Sequence, residues 1–329
     1  MKKAVDIFHC YVSDIHKYLT EYEVINVKDF DSLVPGWFKA FVEVGNDLIW
    51  SQYLIGLLLT AGLFFTISSR FIQFTSFGEM FRALVEKPET LDSGEKGISP
   101  FQAFAISAGS RVGTGNIAGV ATAIVLGGPG AVFWMWVIAS IGAASAFVES
   151  VLAQVYKVPD KAGGFRGGPA YYMTKGLNQK WLGVLFAVLI TITFAFVFNT
   201  VQANTIAESL KTQYHISPVV TGIVLAVLTG IIIFGGVRSI ATLSSYIVPI
   251  MAIIYIGVVL VILIMNYDQI IPMILTIFKS AFGIEQATGG AVGAAVLQGI
   301  KRGLFSNEAG MGSAPVSYTH LTLPTNREV

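Results

Sequence analysis

The chain has 329 residues, 54% of them hydrophobic and 12% charged, with a formal net charge of +1 and a mean hydropathy of +0.68. Soluble domains carry roughly 25% charged residues, so this composition excludes an ordinary soluble fold and predicts an all-α membrane protein whose first partner is the lipid bilayer. No basic run interleaved with aromatics points to nucleic acid, and a single cysteine, Cys10, excludes an internal disulfide and a cysteine metal cluster.

Asp6, His9 and Asp14 follow Lys2 and Lys3 too closely to leave the apolar core of a cleaved signal. Residues 1–46 read as an extracellular segment, with Phe8, Tyr11, Ile15 and Tyr18 at the spacing of a short amphipathic helix. The transmembrane part is expected over 47–315. Its first span runs from about Leu48 to Ile67, and a polar linker with Glu86, Lys87, Pro88, Glu89 and Asp92 follows.

The second span, about Ser99 to Leu126, is long enough to cross a bilayer. Gly113, Gly115 and Gly119 nevertheless make its middle a poor helix, and Arg111 sets a charge there. Backbone that unwinds at membrane depth survives only inside protein or beside a polar cavity. A broken helix lining a binding site is therefore expected here.

A third span covers about Val132 to Val155 and carries one charge, Glu149; a soluble loop with Lys157, Lys161, Arg166, Lys175 and Lys180 comes next. The fourth span, about Trp181 to Leu210, is long enough to tilt. The fifth runs from about Val219 to Phe234 and the sixth from about Tyr246 to Met265. Ile270 to Phe282 is apolar but too short to cross. The seventh span, about Ala291 to Pro315, is interrupted like the second, because GIKRGLFSNEAGMGSAP places Lys301, Arg302, Asn307, Glu308 and glycines at mid-depth. Those charges are expected to pair with one another or with Glu149, either structurally or as part of a gate, the structural role being favoured for Glu149.

Basic residues set the orientation. The loops after spans one, three and five hold Arg70, Arg82, Lys87, Lys96, Lys157, Lys161, Arg166, Lys175, Lys180 and Arg238, whereas the opposite side holds Lys211 and Lys279 plus the N-terminal lysines, most of them distant from span one. The first set is expected in the cytoplasm, with the N-terminus outside. Spans two to six then make one unit opened by a broken helix, and span seven opens a second of opposite direction. That is the pattern of an inverted-repeat transporter, with most of its second unit absent, so the chain as given is expected to be inactive. The last fourteen residues, VSYTHLTLPTNREV, lose apolarity abruptly and look like a translated sequencing adaptor. Residues 316–329 are accordingly read as an artefactual tail.

Three motifs carry a resemblance: GTGNIAGVATAIVLGGPGAVFWMW from Gly113, FRGGPAYYMTKGL from Phe165 and KRGLFSNEAGMGSAP from Lys301. In this order, over about residues 45 to 315, the chain resembles the alanine or glycine:cation symporter family of amino-acid carriers. The resemblance implies a LeuT-type inverted-repeat fold preceded by one extra helix, and here truncated after the second broken helix. It also implies a small neutral amino acid, alanine or glycine, carried with sodium as coupling ion across the cytoplasmic membrane.

Freed N–H groups around Thr114 and Gly115 suit a substrate carboxylate, and glycine lets it approach the backbone; close helix packing is the alternative. Asn116 would ligate sodium by resemblance, or else bond a neighbouring helix. Phe194, Phe198 and Gln202 recur every four residues, so one helical stripe bears two rings and an amide. Gln202 is a substrate ligand by resemblance, or otherwise an interhelical hydrogen bond. Phe305 would close over the substrate, with amides near Asn307 to Gly310 facing it; simple packing is the other reading of the ring. Gly113, Gly115 and Ala118 satisfy a dinucleotide pattern formally but lack a preceding strand and an acid about 20 residues on. A membrane enzyme is disfavoured because no HExxH motif or nucleophile and base pair is present. A channel is disfavoured because two broken helices suggest an occludable site.

Overall fold

The computed structural model describes residues 35–49, 52–86, 98–159, 165–283 and 289–319, and it is almost wholly helical. The amphipathic segment expected around Phe8 to Tyr18 lies outside the described residues, as does the tail from 320 onward. Helix α1 (Gly36–Ile49) precedes the first expected span, which is α2 (Gln52–Ser68). Arg70 and Phe71 take left-handed backbone at φ 54 and 60° and turn the chain into the short α3 (Ile72–Thr75) and α4 (Phe77–Leu84).

The second span begins at a capping box. Ser99 Oγ accepts from Gln102 N at 3.2 Å and Gln102 Oε1 accepts from Ser99 N at 3.0 Å, with Pro100 suited to the first helical position. Helix α5 (Pro100–Arg111) then stops, and α6 (Thr114–Gly127) starts after Val112 and Gly113. The break falls where the glycines predicted it. Helix α7 (Gly130–Val155) is one uninterrupted run, and a two-stranded ribbon pairs β1 (Val158–Pro159) with β2 (Phe165–Arg166).

After α8 (Pro169–Lys175), helices α9 (Lys180–Ile192) and α10 (Asn199–Tyr214) are joined by a wide π-type turn, Thr193–Phe198. Such turns recur at functional sites because they let a helix widen locally. The fifth and sixth spans are α11 (Pro218–Phe234) and α12 (Gly236–Met265), the latter with Pro249 inside it. Helix α13 (Ile270–Ala281) has 12 residues and so is about 18 Å long, short of a hydrocarbon core of about 30 Å. The last span is α14 (Gly289–Asn307) and α15 (Ser313–Tyr318), separated by the second break. The stretches Gly36–Ser68, Gly130–Val155, Lys180–Tyr214 and Ser239–Met265 are long and apolar enough to cross a membrane, while Thr114–Gly127 and Pro218–Phe234 are apolar but shorter.

The chain forms two compact units. The first draws on Met1–Ala61, Val120–Ile138 and Ile262–Gly303. Its core centres on Ala123, Ala131 and Met135, with Val120 packed against them. Gly130 N donates to Ser280 Oγ at 3.1 Å, and Trp134 Nε1 donates to the Ala281 carbonyl at 3.3 Å. A Cβ on Gly299 would stand 2.5 Å from Trp134 Cβ, so α14 and α7 meet through a surface without side chains, as membrane helices commonly do.

The second unit draws on Gly62–Gly119, Ala139–Val261 and Leu304–Val329, and it contains both breaks. Helix α15 packs on α5, and Gly142 of α7 approaches Asn307 and Ala309 so closely that a Cβ would meet each at 3.0 Å. Val316 lies over Gly168, and Thr319 is fully buried.

Candidate functional site

The two breaks of the second unit share one cavity of about 160 Å³. The first break contributes Ser110, Arg111 and Gly113 to Asn116; α10 and the π-type turn contribute Val197, Phe198, Val201 and Gln202; the second contributes Phe305 and Glu308. Unwinding at Val112 and Gly113 frees the Thr114 amide, and Gln202 Oε1 accepts its hydrogen bond at 3.2 Å. Gly113 is needed for this approach, since a Cβ there would lie 2.3 Å from Gln202 Nε2. At Gly115 a Cβ would touch the Phe305 ring at 3.2 Å, so this glycine brings the ring against the backbone.

The aromatic stripe continues into the cavity wall. Phe194 and Phe198 stack at 4.8 Å between centroids, and Phe198 stacks in turn on Phe305 at 5.5 Å and 12°. Three rings in series therefore run from the wide turn to the second break. Offset stacking at this spacing adds about 0.5–1.5 kcal/mol per pair beyond area burial.

Asn116 joins the two breaks. Its Nδ2 donates to the Arg111 carbonyl at 2.8 Å, and its Oδ1 accepts from Ser306 Oγ. Of the two alternatives raised by the sequence, the bond to a neighbouring helix is present. Among the described residues no group of three His, Cys, Asp or Glu could hold a metal ion. Arg111 Nε is buried without a hydrogen-bond partner, and it shares the cavity lining with Glu308. The lining thus includes one cation and one acid.

Thr114, Gly115, Asn116, Gln202 and Phe305 come together at this cavity. Gly310 does not: it is outside the lining, and its amide donates to Glu149 Oε2 at 3.0 Å. The amide of Ala309 is likewise taken, by Asn307 Oδ1 at 2.9 Å. The acids also differ from expectation. Glu149 accepts from backbone, and Glu308 accepts from Ser313 Oγ at 2.6 Å, so neutral donors serve the carboxylates instead of Lys301 or Arg302. Ser306, Val197 and Val201 went unseen in the sequence. Position beside Phe305 for Ser306, and beside Phe198 and Gln202 for Val197 and Val201, was the only signal they offered.

Comparison with known proteins places this geometry in a family. The profile of the sodium:alanine symporter family matches residues 36–324. The amino-acid carrier protein AlsT of Bacillus subtilis is 54% identical over 296 residues, 89% of this chain and 62% of that protein. A second Bacillus subtilis protein, named as a probable sodium/glutamine symporter, GlnT, is also 54% identical, over 83% of this chain and 57% of its own length. The sodium/alanine symporter AgcS of Methanococcus maripaludis is 43% identical over 85% of this chain and 62% of its own. The chain thus spans about three fifths of the length of these relatives.

Proposed function

The chain belongs to the sodium:alanine symporter family, and from that premise we propose that it forms the site-bearing part of a carrier that moves a small neutral amino acid with sodium across the cytoplasmic membrane. The family is one of membrane transporters, not enzymes. The observation that carries the reading is the shared cavity: Thr114, Gly115, Asn116, Gln202 and Phe305 converge where two helices are interrupted.

The substrate carboxylate takes the Thr114 and Gly115 side, where unwound backbone and the Gln202 amide offer donors. Arg111 and Glu308 complement the two charges of the zwitterion. Phe305 and Phe198 cover the side chain, which favours alanine or glycine over the glutamine in one relative's name. Asn116 and Ser306 contribute oxygens to sodium. The ion links the breaks when bound, and its gradient drives alternating access between two LeuT-type inverted repeats, preceded by an extra N-terminal helix, with the N-terminus outside.

The full reading frame, reconstituted in liposomes under an inward sodium gradient, should concentrate labelled alanine above equilibrium. Collapse of the gradient should abolish the accumulation. Flux that ignores the gradient would overturn the symport reading in favour of a channel, and competition by unlabelled glycine but not glutamine should establish the size class.

A further inference from the structure

The second break needs acceptors, and one of them comes from a distant helix. Glu308, Gly310 and Gly312 have φ of 53, 87 and 77°, and this backbone turns successive N–H groups away from the carbonyls of α14. An amide left unsatisfied at membrane depth costs several kcal/mol. Each of three has a named partner: Ala309 N finds Asn307 Oδ1, Met311 N finds the Glu308 carbonyl at 3.1 Å, and Gly310 N finds Glu149 Oε2 at 3.0 Å. Asn307 and Glu308 belong to the break itself; Glu149 stands on α7.

Helix α7 is well placed to act as a brace. Gly142, about two turns before Glu149, is the point at which α7 touches Asn307 and Ala309 without an intervening side chain. The braced segment directly follows Phe305 and Ser306 and includes Glu308, so its conformation sets the cavity wall and the partner of Asn116. Arg111 lies within electrostatic reach of the Glu149 carboxylate.

We propose that Glu149 is a positioning residue, which holds the unwound segment Glu308–Gly312 in its substrate-ready form by accepting the Gly310 amide. It does not touch the cavity and acts through Phe305, Ser306 and Glu308. The effect on transport rests on the carrier reading above, whereas the brace itself does not.

The test compares the intact full-length carrier with E149A, E149Q and E149D. Hydrogen exchange followed by mass spectrometry should show faster exchange in the peptide over residues 308–313 for E149A and E149D, which lose the acceptor or its reach. E149Q, which keeps one oxygen, should exchange near the wild-type rate. KM for labelled alanine should rise about tenfold in E149A, the effect of losing one hydrogen bond. Vmax should change much less, and E149Q should restore most of the KM. Should E149A fail to fold, E149D against E149Q makes the same comparison. Wild-type exchange at 308–313 in E149A or E149D would overturn the brace, as would E149Q matching E149A in both readouts. A wild-type carrier that ignores alanine while exchange still responds to E149A would sink the transport reading alone.

Discussion

At the scale of single residues, Gly113 offers the sharpest test, because its missing side chain is occupied by the end of Gln202. A methyl group there would stand 2.3 Å from Gln202 Nε2. That neighbour is the flexible end of a long side chain, so it moves aside at little cost to the fold. Gly113→Ala should therefore leave the melting temperature of the purified protein nearly unchanged. Its affinity for alanine should fall about tenfold or more, as measured by calorimetry on the full-length carrier, because the Gln202 amide leaves the site. Tyr172 allows a pH prediction. Burial, with a smaller push from the Glu149 carboxylate, holds its hydroxyl well above the ordinary tyrosine range. Above about pH 10 the unfolded chain ionises this group while the fold keeps it neutral. Stability is therefore fully present below that pH and is lost as pH rises towards the folded value. Tyr172→Phe should flatten the alkaline limb of the melting curve relative to wild type. The glycines and the Phe194, Phe198, Gln202 stripe were legible in sequence, since glycine breaks helices and a period of four marks one face. The direction of the Gly310 amide was not. It depends on Glu149, 161 positions earlier, and no local pattern encodes that meeting.

At the scale of elements, the second and seventh spans were legible because poor helix formers sit where the bilayer demands regular backbone. The π-type turn at Thr193–Phe198 was not, since TFAFVF is an ordinary apolar run and the extra residue in the turn is fixed by packing. Where two helices approach decides which glycines matter. A Cβ on Gly130 would come within 2.5 Å of the Ala281 backbone nitrogen, whereas Gly222 on α11 has nothing within 4 Å. Backbone cannot swing aside as Gln202 can. Gly130→Ala should thus lower the melting temperature by several degrees, the effect of overpacking by about 1–3 kcal/mol. Gly222→Ala should raise it slightly, since alanine favours a helix interior by about 0.5–1 kcal/mol. Thermal unfolding of both variants in the same detergent is the measurement.

At the scale of the whole molecule, the segregation of Arg82, Lys157, Lys175 and Lys180 from the loops at 215–217 and 266–269 is a statement about topology. Replacing Cys10, together with any cysteine beyond residue 329, gives a cysteine-free background for the full-length carrier. In that background K180C should react with a membrane-impermeant maleimide only after cells are opened, and D268C should react in intact cells. The reverse pattern would invert the proposed orientation. Broad architecture was legible at this scale because apolar length and charge are properties of composition. Pairing among the intramembrane charges was not, and the two acids use an amide and a hydroxyl instead of Lys301 or Arg302.

On the proposed reading, the bond from Thr114 N to Gln202 Oε1 makes docking of a carboxylate at that amide an exchange reaction. One acceptor would leave as another arrives, and the tally of hydrogen bonds would hardly change. Such a swap would keep the well shallow, as the proposed carrier requires if it is to let its cargo go on the far side as readily as it took it up.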